Sequence, residues 1–166
     1  MTYRLRDADT GLRWMITLFL VVLSSGYAVG LMFVEHTTAM SAPGVREQFL
    51  GTPAELRPAE VKYARSPGEM FTFIHNHVFS MAMLFFVLAL LVHGTHVFSP
   101  GWKRFLMIEP FIAIATTFGG IALVRYVSPL FSWLVILSGV SLALVYALSI
   151  YAIMAEVWGH ARQPAP

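Results

Sequence analysis

The chain has 166 residues, of which 57% are hydrophobic and only 12% charged, a ratio that the water-facing surface of a soluble domain this small does not tolerate. Most of it must be solvated by lipid. It has no cysteine, which excludes disulfides, thiolate-bound zinc, iron-sulfur clusters and covalently attached haem c. Its net charge of +2, with the basic residues scattered, excludes nucleic acid as a partner.

A polar start, with Arg4, Arg6 and Arg13 against Asp7 and Asp9, runs into the apolar stretch Trp14–Val34. At about 1.5 Å per residue that stretch covers the roughly 30 Å hydrocarbon core. It is too long for the apolar region of a signal peptide, about 7 to 15 residues, and is expected to be an anchor. Residues 35–69 form the one long hydrophilic segment, in which Pro43, Pro53, Pro58 and Pro67 argue against a continuous helix. Within it, Pro58–Ala64 is expected to form a short surface helix, since proline suits a first helical turn.

Three further spans follow at residues 70–92, 105–124 and 130–155. The joints between them are short, so neighbouring helices must run antiparallel. The fold expected is all-α: an integral membrane four-helix bundle of up-down connectivity, a single membrane domain with one extracytoplasmic loop of about 35 residues. Arg4, Arg6, Arg13, Lys103, Arg104 and Arg162 fall on one side, which by the positive-inside bias places both termini in the cytoplasm of a bacterial inner (plasma) membrane. Trp14, Trp102, Trp133, Trp158 and Tyr126 read as interfacial belt residues.

Histidines stand at both ends of the second span: His75 and His77 at one, His93 and His96 at the other. His75 and His93 are eighteen positions, or five full turns, apart and share a helix face about 27 Å long. Phe79, Ala82, Phe86 and Ala89 lie near that line, so the face has room for something flat, and neutral imidazole is the usual axial ligand of haem b. A second ligand would come from another helix: His36 at the outer end, or His160, Met107 or Met154 at the inner one. As a pair on a helix, His75 and His77 diverge by about 160° and would share one ion only in an extended segment. With Glu35, His36 and Glu69 they offer a mixed histidine-carboxylate set for a transition metal such as zinc, copper or iron. His93 and His96, three apart, could ligate together. Beside all these stands the plain reading of histidine as an interfacial residue whose polar tip reaches water, with no cofactor at all.

Other polar and small residues carry paired readings. Glu109 caps or pairs with Arg104, or carries protons. Gly26 and Gly30, a G-x-x-x-G pair, permit close helix packing or give clearance for a macrocycle, and Gly119 and Gly120 read the same way. Arg125 snorkels to headgroups or clamps a carboxylate such as a haem propionate.

In HNHVFSMAMLFF, GWKRFLMIEPF and YVSPLFSWLVILSG the chain resembles a family of little-characterised bacterial four-helix membrane proteins. These have one span, an extracytoplasmic loop, and three spans opening on a similar H-x-H-x-F pattern. Larger members carry a C-x-x-C-H haem-c motif in that loop, which implies an association with respiratory cytochromes; this chain's loop is short and cysteine-free. H-x-H at the outer end of a span is also similar to patterns in relatives of haem-copper oxidases. By position the resemblance carries over only to His75 and His77.

The function expected is a membrane electron-transfer subunit, not a complete enzyme alone, holding haem b or a comparable redox centre near the extracytoplasmic surface. His75 or His77 and His36 would be its ligands and Arg125 its propionate partner. Its partners would be membrane lipid, a larger respiratory-type complex and a periplasmic cytochrome. Two alternatives stay open: a cofactor-free structural or assembly subunit, and a metal or quinone site at the same position.

Overall fold

The structure, a computed structural model, describes residues 4–53 and 61–159. Among these the regular elements are all helical: α1 Thr10–Thr38, α2 Ala42–Leu50, α3 Pro67–His93, α4 Pro100–Tyr126 and α5 Ser132–Trp158, with 3-10 turns at Leu5–Asp7 and Pro129–Phe131. Four of the helices are long and apolar enough to cross a membrane. The chain is an all-α, multi-pass membrane protein. Four of the five helices, α1 to α4, begin where the sequence places a cap or a proline. Asp9 accepts from the Leu12 N–H, Ser41 from that of Gly44, and Ser66 from that of Glu69, while Pro43, Pro67 and Pro100 occupy first turns.

The spans do not contribute equally to the core. α4 packs extensively on α5 and on α3, and these interfaces supply most of the buried apolar side chains, among them Phe85, Leu88, Leu106, Ile114, Phe118, Ile121, Leu142 and Ile153. Gly120 allows close approach: a Cβ there would stand 3.0 Å from the Val135 side chain. α1 instead leans on α5. Only Ile16, Leu20 and Thr38 of its residues are buried, and its contacts with α5 are few: Tyr27 stacks on Tyr146 at 4.0 Å, Ser24 Oγ lies 3.0 Å from the Tyr146 hydroxyl, and the Trp158 indole donates to Thr17.

The long hydrophilic segment is ordered differently from the sequence reading. The short helix is α2, not Pro58–Ala64: residues 61–64 are not helical, and residues 58–60 lie outside the described residues. Ser41 caps α2, and Val45 and Phe49, one turn apart, bury its inner face. Ala39 and Met40 turn the chain at positive φ, 48° and 46°. Gly44 then passes so close to the end of α1 that a Cβ would overlap the Thr38 carbonyl. Arg46 secures α2 to the start of α5 by donating to the Pro129 carbonyl at 3.2 Å and to the Ser132 hydroxyl at 3.0 Å.

At the opposite end, where the N-terminal segment meets the end of α5, a carboxylate is buried. Glu156 is 1% exposed. Its Oε2 accepts the His96 backbone N–H at 2.9 Å, and its Oε1 lies 3.5 Å from both Arg6 Nε and His96 Nδ1. The Leu5 N–H donates to the Gly94 carbonyl, and Lys103 Nζ donates to the His93 and Thr95 carbonyls. The N-terminal segment, the α3–α4 joint and the end of α5 are thereby tied together.

Two substitutions test these corners. Glu156→Ala leaves the His96 N–H without its acceptor; because Arg6 and His96 are partly exposed and recover water, the expected loss is about 1–3 kcal/mol, read as a lower midpoint of thermal unfolding in detergent. Gly44→Ala drives a methyl group into backbone and should cost about 1–3 kcal/mol, with proteolytic sensitivity appearing first between α1 and α3.

Candidate functional site

Helix α3 is already regular at Pro67, so His75 and His77 sit in helical, not extended, backbone and diverge by about 160°. The buried residues Met70, Phe85, Leu88 and Val92 define the inward side of α3. At about 100° per residue His77 lies roughly 45° from that direction and His75 roughly 115° from it. The face shared by His75 and His93 is therefore an outer face of α3, where Phe79 and Phe86 are 67% and 51% exposed.

His77 is the one imidazole that the fold orients against neighbours at the α2 end of the bundle. Its ring packs on Phe73, centroids 4.2 Å apart, and faces Phe118 of α4 at 5.6 Å. Nδ1 lies 2.8 Å from the Phe73 carbonyl oxygen. A carbonyl only accepts, so Nδ1 donates to it, and in the neutral tautomer with its proton there Nε2 is the nitrogen with the lone pair. This is the arrangement by which a backbone carbonyl fixes the tautomer of a ligating histidine. Beside the ring runs a surface groove of about 510 Å³ lined by Arg65, Gly68, Glu69, Thr72, Phe73, Asn76 and His77. It has an aromatic wall, a cation, a carboxylate, a hydroxyl and an amide.

The groove's rim is built by tertiary contacts. Arg65 lays its guanidinium over Phe49 of α2 and Phe73, 5.6 and 5.3 Å from the ring centroids. Arg125, at the end of α4, donates from Nε to the Arg65 carbonyl at 3.0 Å. Arg125 therefore pins the chain entering α3. Glu69 closes a capping box, its Oε2 accepting the Ser66 N–H at 2.7 Å while the Ser66 hydroxyl accepts from the Glu69 N–H.

The remaining candidates are dispersed. His36 is exposed, nine residues and about 180° around α1 from Tyr27, which marks the side facing α5. His93 is the last residue of α3, and His96 lies beyond the helix and turns to Glu156, so these two do not share a helical face. His160 lies outside the described residues. Among the described residues no three histidine, aspartate or glutamate side chains converge as a metal-binding group; of His75, His77, His36 and Glu69, only His77 and Glu69 line one groove. Gly26 and Gly30 have nothing within 4 Å of a Cβ position, whereas Gly120 packs on α5. Glu109 makes no ion pair with Arg104 and instead accepts from the Ser141 hydroxyl of α5.

The sequence reading overlooked Phe118, which holds His77 from the neighbouring helix and carries no motif. It also overlooked Glu156, although a carboxylate in the last turns of an apolar span is a readable signal.

A family model, the Aq_1264_TM transmembrane helical domain, matches residues 39–164. No curated protein and no solved structure matches the chain.

The tautomer is directly checkable. Nitrogen-detected NMR of histidine-labelled protein should show one ring in the Nδ1–H form, lost in His77→Gln; Phe118→Ala should leave that signal in place but broaden it as the ring loses its packing partner.

Proposed function

The chain belongs to the Aq_1264_TM transmembrane helical domain family, and we propose that it is an electron-transfer subunit of a respiratory-type assembly. Its redox group docks in the groove beside His77. The observation that carries this reading is the His77 ring itself, packed against Phe73 and Phe118 with Nδ1 on the Phe73 carbonyl, and lining the groove.

Two redox groups use such a lone pair. A b-type haem would be held by His77 together with a residue of another subunit, with Arg65 available to its propionates. A quinol would donate a hydroxyl to Nε2 while Thr72 and Asn76 donate to its second oxygen and Phe73 stacks on its ring. In both cases this chain supplies position, hydrogen bonds and an aromatic wall, while the bound group supplies the electron chemistry. The asymmetric distribution of lysine and arginine supports an extracytoplasmic position for the groove, with both termini cytoplasmic in a bacterial inner membrane. A periplasmic cytochrome would then be the electron partner at this end.

A cofactor-free assembly subunit is the second reading, favoured by α1: a 29-residue apolar helix with three buried residues and an open Gly26/Gly30 pair. It expects recovery with larger membrane proteins and no chromophore or quinone.

Oxidised and reduced visible spectra, together with lipid extraction of protein purified in mild detergent, decide between these. The redox reading expects a Soret band or a co-extracted quinone, weakened about 10–100-fold in occupancy or affinity by His77→Ala and unchanged by His75→Ala or His36→Ala. Neither group in the wild type, or equal retention in the His77 variant, removes it.

A further inference from the structure

Glu109 and Ser141 are each nine residues into a 27-residue helix, α4 and α5 respectively, and the two helices run in opposite directions. Both therefore lie within about 6 Å of the midpoint of their helices, inside the apolar spans rather than at their ends. The Ser141 hydroxyl donates to Glu109 Oε1. Glu109 Oε2 is buried and has no hydrogen-bond partner. Among the described residues no lysine, arginine or histidine nitrogen stands within ion-pair distance of either oxygen. An ionised carboxylate with one oxygen bare in hydrocarbon is expensive, and an intramembrane ionisable residue normally marks a functional site.

The surroundings supply a route. A lipid-facing groove of about 340 Å³ follows α4 from Gly101 and Arg104 past Phe105 and Ile108 to Glu109 and Ile112. Arg104 is the charged group that shares it; Ser141 is the polar group facing Glu109 from α5. Gly101 has open space where a side chain would stand, so the groove's mouth lies at the membrane face where α4 begins.

The geometry points to Glu109 and Ser141 as a membrane-embedded proton-binding site, loaded from the face at which α4 begins. The ligand is a proton on Oε2, which turns the bare acceptor into a neutral acid while Ser141 holds Oε1. A metal ion is not the occupant this pair fits, since one carboxylate and one hydroxyl leave a cation mostly unligated. The site is separate from the His77 groove, and its test does not depend on any redox group.

Infrared spectroscopy of the full chain in lipid vesicles reads the site directly. Wild type should show the carbonyl stretch of a protonated carboxyl in an apolar setting, absent from Glu109→Gln and displaced in Glu109→Asp. Both variants keep an acceptor for Ser141, and their helical content by circular dichroism confirms folding. Access is read with a hydrophobic carbodiimide: the acid proton moves to a carbodiimide nitrogen, the carboxyl oxygen bonds the central carbon, and acyl transfer to nitrogen gives an N-acylurea that adds the whole reagent mass with no leaving group. Labelling should fall on Glu109 and be absent in Glu109→Gln. A folded wild type with no Glu109-dependent carboxyl band overturns the proton site; a band without carbodiimide labelling overturns its opening to the groove.

Discussion

The structure depends first on the α4–α5 seam. Two helices in lipid gain little from burying apolar side chains against each other, because acyl chains are equally apolar; close backbone approach and interhelical hydrogen bonds must hold them instead. The seam has both. Gly120 lets α4 come within van der Waals reach of Val135. The Thr117 hydroxyl donates to that of Ser138 at 2.7 Å, and Ser138 in turn returns a bond to the Leu134 carbonyl within its own helix. Ser141 and Glu109 add a second rung. Pro110 removes one backbone donor from α4 beside that rung, which places the helix's weakest backbone position next to its polar pair.

Both ends of the seam are tied, and the ties differ in kind. At the termini end the link is ionic and buried, with Glu156 drawing in the N-terminal Arg6 and the loop residue His96. At the α2 end it is aromatic and backbone-mediated: Arg125 holds the Arg65 carbonyl, Arg65 covers Phe49 and Phe73, and Phe73 carries His77. Removing α2 would uncover Phe49's partners and loosen the His77 wall, so the short amphipathic helix belongs to the site even though it contributes no ligand. α1 joins α5 through Tyr27, Ser24, Thr17 and Trp14, and its ends are bonded by Arg13 to the Arg6 and Ala8 carbonyls and by Lys62 to the Thr37 carbonyl.

The four spans were legible because hydrocarbon thickness sets a minimum apolar length, and the observed helices overrun the expected ones mainly at interfacial turns. α2 was misplaced because Pro58 was given more weight than Ser41, which stands two residues before Pro43 with Val45 and Phe49 at i, i+4 behind it. That cap and spacing were readable. Which imidazole faces the bundle was not. Periodicity orders residues around a helix but leaves the inward direction free until the neighbours are placed; Phe118 and Phe73 decide it for His77. The face of His75 and His93 was likewise drawn correctly as a face, with its direction outward. Glu109 was assigned a partner on its own helix, Arg104, because a single sequence exposes i, i+5 neighbours and hides Ser141, thirty-two positions away.

The H-x-H spacing then takes on a physical meaning. Two residues apart on a helix is about 200° of rotation, so a span that turns His77 toward its own neighbours must turn His75 away from them. The two rings cannot serve one centre within a single chain. His77 shares its groove with Arg65, Thr72 and Asn76; His75, with His93 on the same line, belongs to the outer surface of α3. The motif therefore places one imidazole against the neighbouring helices and the other on the outer face by geometry alone, and the two cannot be summed into a single ligand set.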